Sequence, residues 1–179
     1  VQIAILVDTS SSMDGLIDQA RTQIWKIVNT LANGNLEGKK PRLEVALYEY
    51  GNSNLSAEQH YVRQVLPFTS SLDKVSEKLF ELKTNGGEEY CGAVIARALK
   101  ELAWKKYDDV YRVIFIAGNE PFTQGPVDFR PVIADARAQG IFVNTIFCGN
   151  RQEGIARQWM AGAQLAQGDF HVINQDRMV

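Results

Sequence analysis

The sequence predicts an α/β fold, a doubly wound and mainly parallel central sheet with helices on both faces and one antiparallel edge strand. Three observations predict it. Continuous apolar and β-branched runs at 2–7, 110–116 and 141–147 read as strands buried on both faces. Segments with apolar residues at three- and four-residue spacing separate these runs, as amphipathic helices require. Strand–helix alternation in turn requires right-handed crossovers and parallel pairing.

Each element has its own signal. The run at 2–7 (Gln-Ile-Ala-Ile-Leu-Val) is the first strand. Ile17, Ala20, Ile24, Ile27, Val28 and Leu31 predict a helix over 15–32, broken by Asn33-Gly34. Residues 43–50 form the second strand and 61–66 the third, stopped by Pro67. No helix separates these two, so they form the antiparallel edge. Leu72, Val75, Leu79 and Leu82 make a short helix, with Ser70 and Asp73 shaped as a capping pair. Ala93, Ala96, Leu99 and Leu102 make the next. A helix over 128–139 carries Pro131 in its first turn, where proline is tolerated. The last long helix is expected over 153–166, and a short closing strand over 170–173.

Composition restricts the function classes. The chain has 179 residues and a formal net charge of -2, from 19 basic and 21 acidic residues. That length suits one domain over 1–179, expected to be cut from a longer or processed chain. A near-neutral balance supplies no basic field for nucleic acid. No apolar run approaches the roughly 18 residues that a membrane-spanning helix needs, so this domain is not expected to insert into a bilayer.

In doubly wound sheets, ligands bind beyond the carboxyl ends of the strands, so the loops there carry the information. The first strand ends in Asp8-Thr9-Ser10-Ser11-Ser12. A phosphate cradle would need glycines, and none precedes Gly15. One carboxylate with hydroxyls two and four residues on is a donor set for a hard cation. Serines that only cap the following helix are the alternative.

Asp8-Thr9-Ser10-Ser11-Ser12 resembles the Asp-x-Ser-x-Ser signature of von Willebrand factor A domains, whose Rossmann-like order of elements matches nearly the whole chain. The resemblance implies a metal-ion-dependent adhesion site (MIDAS), at which an ion bridges the domain to an acidic group on a protein partner. It implies that Asp8 holds the ion mainly through water and that Ser10 and Ser12 bind it directly. Mg²⁺ is the expected ion, with Mn²⁺ or Ca²⁺ as alternatives.

Two family motifs are altered. The Gly-Gly-Thr loop reads Gly86-Gly87-Glu88-Glu89, and aligning the Glu120-Pro121 step places Gly118 at the family's aspartate. In a remodelled site, Glu88 or Glu89 replaces the lost carboxylate and Asn119 or Glu120 supplies another oxygen. The expected metal set is therefore Asp8, Ser10, Ser12, Glu88, Glu89, Asn119 and Glu120. An ion holding an additional direct carboxylate recruits acidic partners less well. The alternative is a metal-free interaction scaffold with a degenerate site.

Cys91 and Cys148 both map to the loop end of the sheet. A disulfide there would indicate a secreted, periplasmic or cell-surface location, whereas two buried thiols would not. Tyr90 and Phe122 are expected to flank the metal, and Glu49 or Tyr50 to reach the same rim. An enzyme is not expected. His60 and His171 lie away from Ser10 and Ser12, no Gly-x-Ser-x-Gly elbow exists, and a phosphoryl-transfer site at Asp8 would lack its lysine and paired aspartates.

Overall fold

A strand whose every residue is buried must be covered on both faces, and β1 (Gln2–Asp8) is such a strand. In the computed structural model, which describes residues 1–35 and 37–174, β1 lies inside a six-stranded sheet. The other strands are β2 (Glu44–Tyr50), β3 (Val62–Thr69), β4 (Arg112–Gly118), β5 (Phe142–Cys148) and β6 (Phe170–Ile173). Their order is β3-β2-β1-β4-β5-β6, and only the β2–β3 pair is antiparallel. The predicted fold class is the observed one. Chain order reverses between β1 and β4, which opens a crevice at their carboxyl ends.

Odd and even residues of β1 feed two separate cores. Ile3, Ile5 and Val7 pack with Ile17, Ala20, Ile24 and Val28 of α1 (Ile17–Ala32) and with Val75 and Leu79 of α2 (Leu72–Glu81). Ala4 and Leu6 pack on the opposite face with α3 (Cys91–Glu101), α4 (Phe129–Ala138) and α6 (Trp159–Leu165). A short helix, α5 (Arg151–Ala156), precedes α6.

Several expectations need correction. The helix expected over 153–166 is two helices, broken where Gln158 adopts a left-handed φ of 66°. The break frees the Arg157 carbonyl to accept the Phe122 amide at 2.9 Å, so a tertiary bond replaces a rung of the helix ladder. β3 continues past Pro67 to Thr69, because an edge strand tolerates a missing donor and the register shifts there. Ser71, not Ser70, stands at the N-cap of α2, and its own amide donates to Thr69 Oγ1. α1 starts at Ile17, after a 3-10 turn over Ser11–Met13.

Cys91 and Cys148 are both free and buried, in the cores on opposite faces of the sheet. The disulfide alternative therefore falls, together with the compartment argument built on it. Burial pushes both thiols well above their ordinary range. Ellman's reagent should label neither cysteine in the native protein and both after denaturation, without added reductant. Labelling of either thiol in the folded state would contradict this packing.

Candidate functional site

Asp8 ends the buried run of β1, so its carboxylate is completely buried at the mouth of the β1–β4 crevice. Its Oδ1 accepts the Ser10 amide at 2.8 Å, which curls the chain into the following turn. Its Oδ2 is buried with no hydrogen-bond partner among the described residues. Leaving a carboxylate oxygen so placed is costly, and burial accordingly raises the Asp8 pKa to about 7, helped by the charges of Glu89 and Glu120 and opposed by Ser10.

The turn stacks hydroxyls beside the Asp8 carboxylate. Ser10 Oγ lies 2.9 Å from Ser12 Oγ, and Ser12 Oγ donates to Asn119 Oδ1 at 2.9 Å. The Asn119 amide nitrogen returns a bond to the Ser12 carbonyl at 3.0 Å, tying the loop after β4 to the loop after β1. The Ser10 hydroxyl also lies against the carboxylates of both Asp8 and Glu89. One hydroxyl proton thus serves several oxygens. An oxygen-rich, proton-poor cluster is what a hard cation completes.

The Gly86-Gly87 loop brings Glu89, and not Glu88, into this cluster. Gly87 (φ 136°) crosses Gly51 so closely that a Cβ would lie 1.9 Å from the Gly51 carbonyl oxygen. The crossing turns Glu89 inward, with its Cγ and Asp8 Oδ1 both packed against Gly51. Glu89 is buried, and burial raises its pKa, with Glu120 and Glu88 adding to the rise and the Ser10 hydroxyl opposing it. Glu88 is exposed, with Gln124 Nε2 at 3.4 Å from one carboxylate oxygen and the Tyr90 hydroxyl beside it.

Glu120 faces elsewhere. Its carboxylate lies 3.7 Å from Arg157, and its carbonyl accepts the Trp159 indole at 2.7 Å. Arg157 also donates to the Asn119 carbonyl at 2.5 Å and pairs with Glu153 at 2.8 Å. This guanidinium clamp carries no periodic or motif signal in the sequence. Among the described residues, no three His, Cys, Asp or Glu side chains form a metal centre. What converges is two carboxylates, two serine hydroxyls and one amide.

The other rim expectations are corrected by packing. Phe122 is fully buried against Phe129 and Trp159. Glu49 is buried and paired with Arg63 at 3.1 Å, away from Asp8. Tyr50, the register partner of Asp8, is buried, and its hydroxyl donates to the Ala117 carbonyl at 3.0 Å. A Cβ on Gly118 would lie 2.5 Å from that hydroxyl, so Tyr50 fills the space in which the family's aspartate would begin.

A sequence model of the von Willebrand factor type A domain matches residues 2–168. No curated protein matches the sequence. Among solved structures, the conserved hypothetical protein BatB from Bacteroides thetaiotaomicron superposes with a TM-score of 0.70 at 15% identity, over 97% of this chain and 90% of that one. The mussel byssus proximal thread matrix protein 1, in a structure with a zinc-occupied MIDAS motif, gives 0.66 at 13% identity, over 99% of this chain and 42% of its own. The pilus adhesin SpaC from Lactobacillus rhamnosus GG gives 0.66 at 13%, over 98% of this chain and 28% of its own.

Proposed function

The chain belongs to the von Willebrand factor type A domain family, and from that premise we propose that it is a protein-binding module whose rim is completed by one divalent cation. The observation that carries the reading is the buried Asp8 carboxylate, whose Oδ2 has no hydrogen-bond partner among the described residues, set beside the Ser10–Ser12 hydroxyls and Glu89. Asp8, Ser10, Ser12 and Glu89 would hold the ion, with Asn119 orienting the Ser12 hydroxyl. Glu89 takes the place of the carboxylate that Gly118 cannot supply. All of these donors are oxygens, which suits Mg²⁺, and Mn²⁺ or Ca²⁺ would be accepted by the same set. The bound ion would supply positive charge to a buried anionic cluster and so fix the rim that a partner meets.

The reading contains no catalytic step. His60 packs against Tyr90 and His171 lies on β6, so neither is assigned to a serine as its base. Phosphate release from a generic ester that is lost in Asp8→Asn would overturn this part. A metal-free scaffold using the same rim is the second reading, supported by the Ser10–Ser12–Asn119 hydrogen bonds, which tie the two rim loops to each other.

The two readings separate in a thermal-shift titration. Millimolar Mg²⁺ or Mn²⁺, added to chelator-treated protein, should raise Tm by several degrees, as saturation at about a hundred times Kd contributes roughly 2.7 kcal/mol. Ser10→Ala and Glu89→Gln should each remove most of that shift. An unchanged Tm with every divalent ion, and no ion in crystals soaked in Mn²⁺, would leave the scaffold reading in its place.

A further inference from the structure

The charge left on the rim specifies the chemistry of the partner. Asp8, Glu88, Glu89 and Glu120 bring four carboxylates to the loops at this end of the sheet. Arg157 is engaged with Glu120 and Glu153. A divalent ion held by Asp8 and Glu89 would be matched by their two charges, and Glu88 would remain exposed and uncompensated. A carboxylate on a partner would therefore meet no net positive charge, with or without the ion.

Beside Glu88 stands an aromatic ledge. The Tyr90 ring packs edge-on with His60 and with Tyr61, at centroid distances of 6.1 and 5.9 Å. Its flank is covered by Gly125, at which a Cβ would lie 2.4 Å from the ring. His60 and Tyr61 are consecutive non-glycine residues with left-handed φ of 53° and 54°, and their amides donate to the Ala57 and Ser56 carbonyls. All three rings are partly exposed, and the Tyr90 hydroxyl lies against Glu88. A carboxylate next to aromatic faces is a receptor for an ammonium or guanidinium on an alkyl stem.

Resting on the reading of this rim as the binding face, we infer that the partner is a protein segment presenting a lysine or arginine, which Glu88 pairs with while Tyr90, Tyr61 and His60 hold its stem.

The test measures binding of a fluorescent Gly-Ser-Lys repeat peptide and its Gly-Ser-Glu counterpart to the intact chain, in Mg²⁺ and in chelator, at physiological ionic strength. The lysine peptide should bind at least about tenfold more tightly than the glutamate peptide in both conditions. Glu88→Gln, an exposed change expected to leave Tm unaltered, should weaken the lysine peptide at least about fivefold. Asp73→Asn, at the start of α2 and so at the other end of the sheet, should not. Equal binding of the two peptides, tighter binding of the glutamate peptide, or indifference to Glu88→Gln would overturn the inference. The Tm shift with metal, read on the same samples, reports on the proposed cation site independently, so failure of one is distinguishable from failure of the other.

Discussion

Asp8→Asn should make the metal-free protein more stable above pH 7 and abolish its response to metal. The folded protein holds the Asp8 proton up to about pH 7, against an ordinary carboxyl value of 3.8. A carboxyl whose pKa is raised on folding contributes most to stability below the unfolded value, and that contribution is lost as pH rises toward the folded value. The window is therefore pH 4 to 7. At roughly 1.4 kcal/mol for each pH unit, the loss is on the order of 4 kcal/mol. The group is fully buried, so little solvent screening reduces it.

Asparagine keeps the oxygen that accepts the Ser10 amide and replaces the other oxygen with an uncharged donor, removing the repulsion between this carboxylate and Glu89. In chelator, unfolding free energies from urea titrations of Asp8→Asn and the unsubstituted chain should agree near pH 4 and diverge by roughly 2–4 kcal/mol at pH 8, with the variant the more stable. In Mg²⁺ the order should reverse, since only the carboxylate gains from the ion. Because Asp8 and Glu89 interact, the titration seen will belong to the pair. A variant no more stable than the unsubstituted chain in chelator at pH 8 would show that Asp8 is not the strained group described.

The strands were legible because burial on both faces leaves an uninterrupted apolar run, as β1 and β4 show. The Asp8–Ser12 loop was legible because its spacing is local and the chain folds it on itself. What the sequence did not disclose depends on contacts between distant segments. Glu88 and Glu89 are adjacent and chemically alike, and only the crossing of Gly87 over Gly51 decides which of them turns inward. The break before α6 is a bond to Phe122, which periodicity within 153–166 cannot register. Glu120 looked available until Arg157 and Trp159 were brought to it by that same break.

Gly118→Asp, which would rebuild the family's missing carboxylate, should fail to restore a site and should unfold or severely destabilise the protein. Even Gly118→Ala places a Cβ 2.5 Å from Tyr50 Oη, 3.0 Å from Trp159 Cη2 and 3.1 Å from Asp8 Cβ. Overpacking of this kind costs about 1–3 kcal/mol, and the aspartate adds a buried charge beside Asp8. Tyr50→Phe removes the closest of these atoms and loses the bond to the Ala117 carbonyl, worth about 1 kcal/mol. In the double variant the cost of Gly118→Ala should shrink, so a double-mutant cycle on urea midpoints should give a favourable coupling of at least about 1 kcal/mol. Strict additivity would mean that the backbone of β4, not Tyr50, sets the need for glycine. A measured coupling would establish that the end of β4 is closed by packing. The second carboxylate at Asp8 must then come from the loop that carries Glu89, and Glu89→Gln, not any change at 118, should control metal affinity.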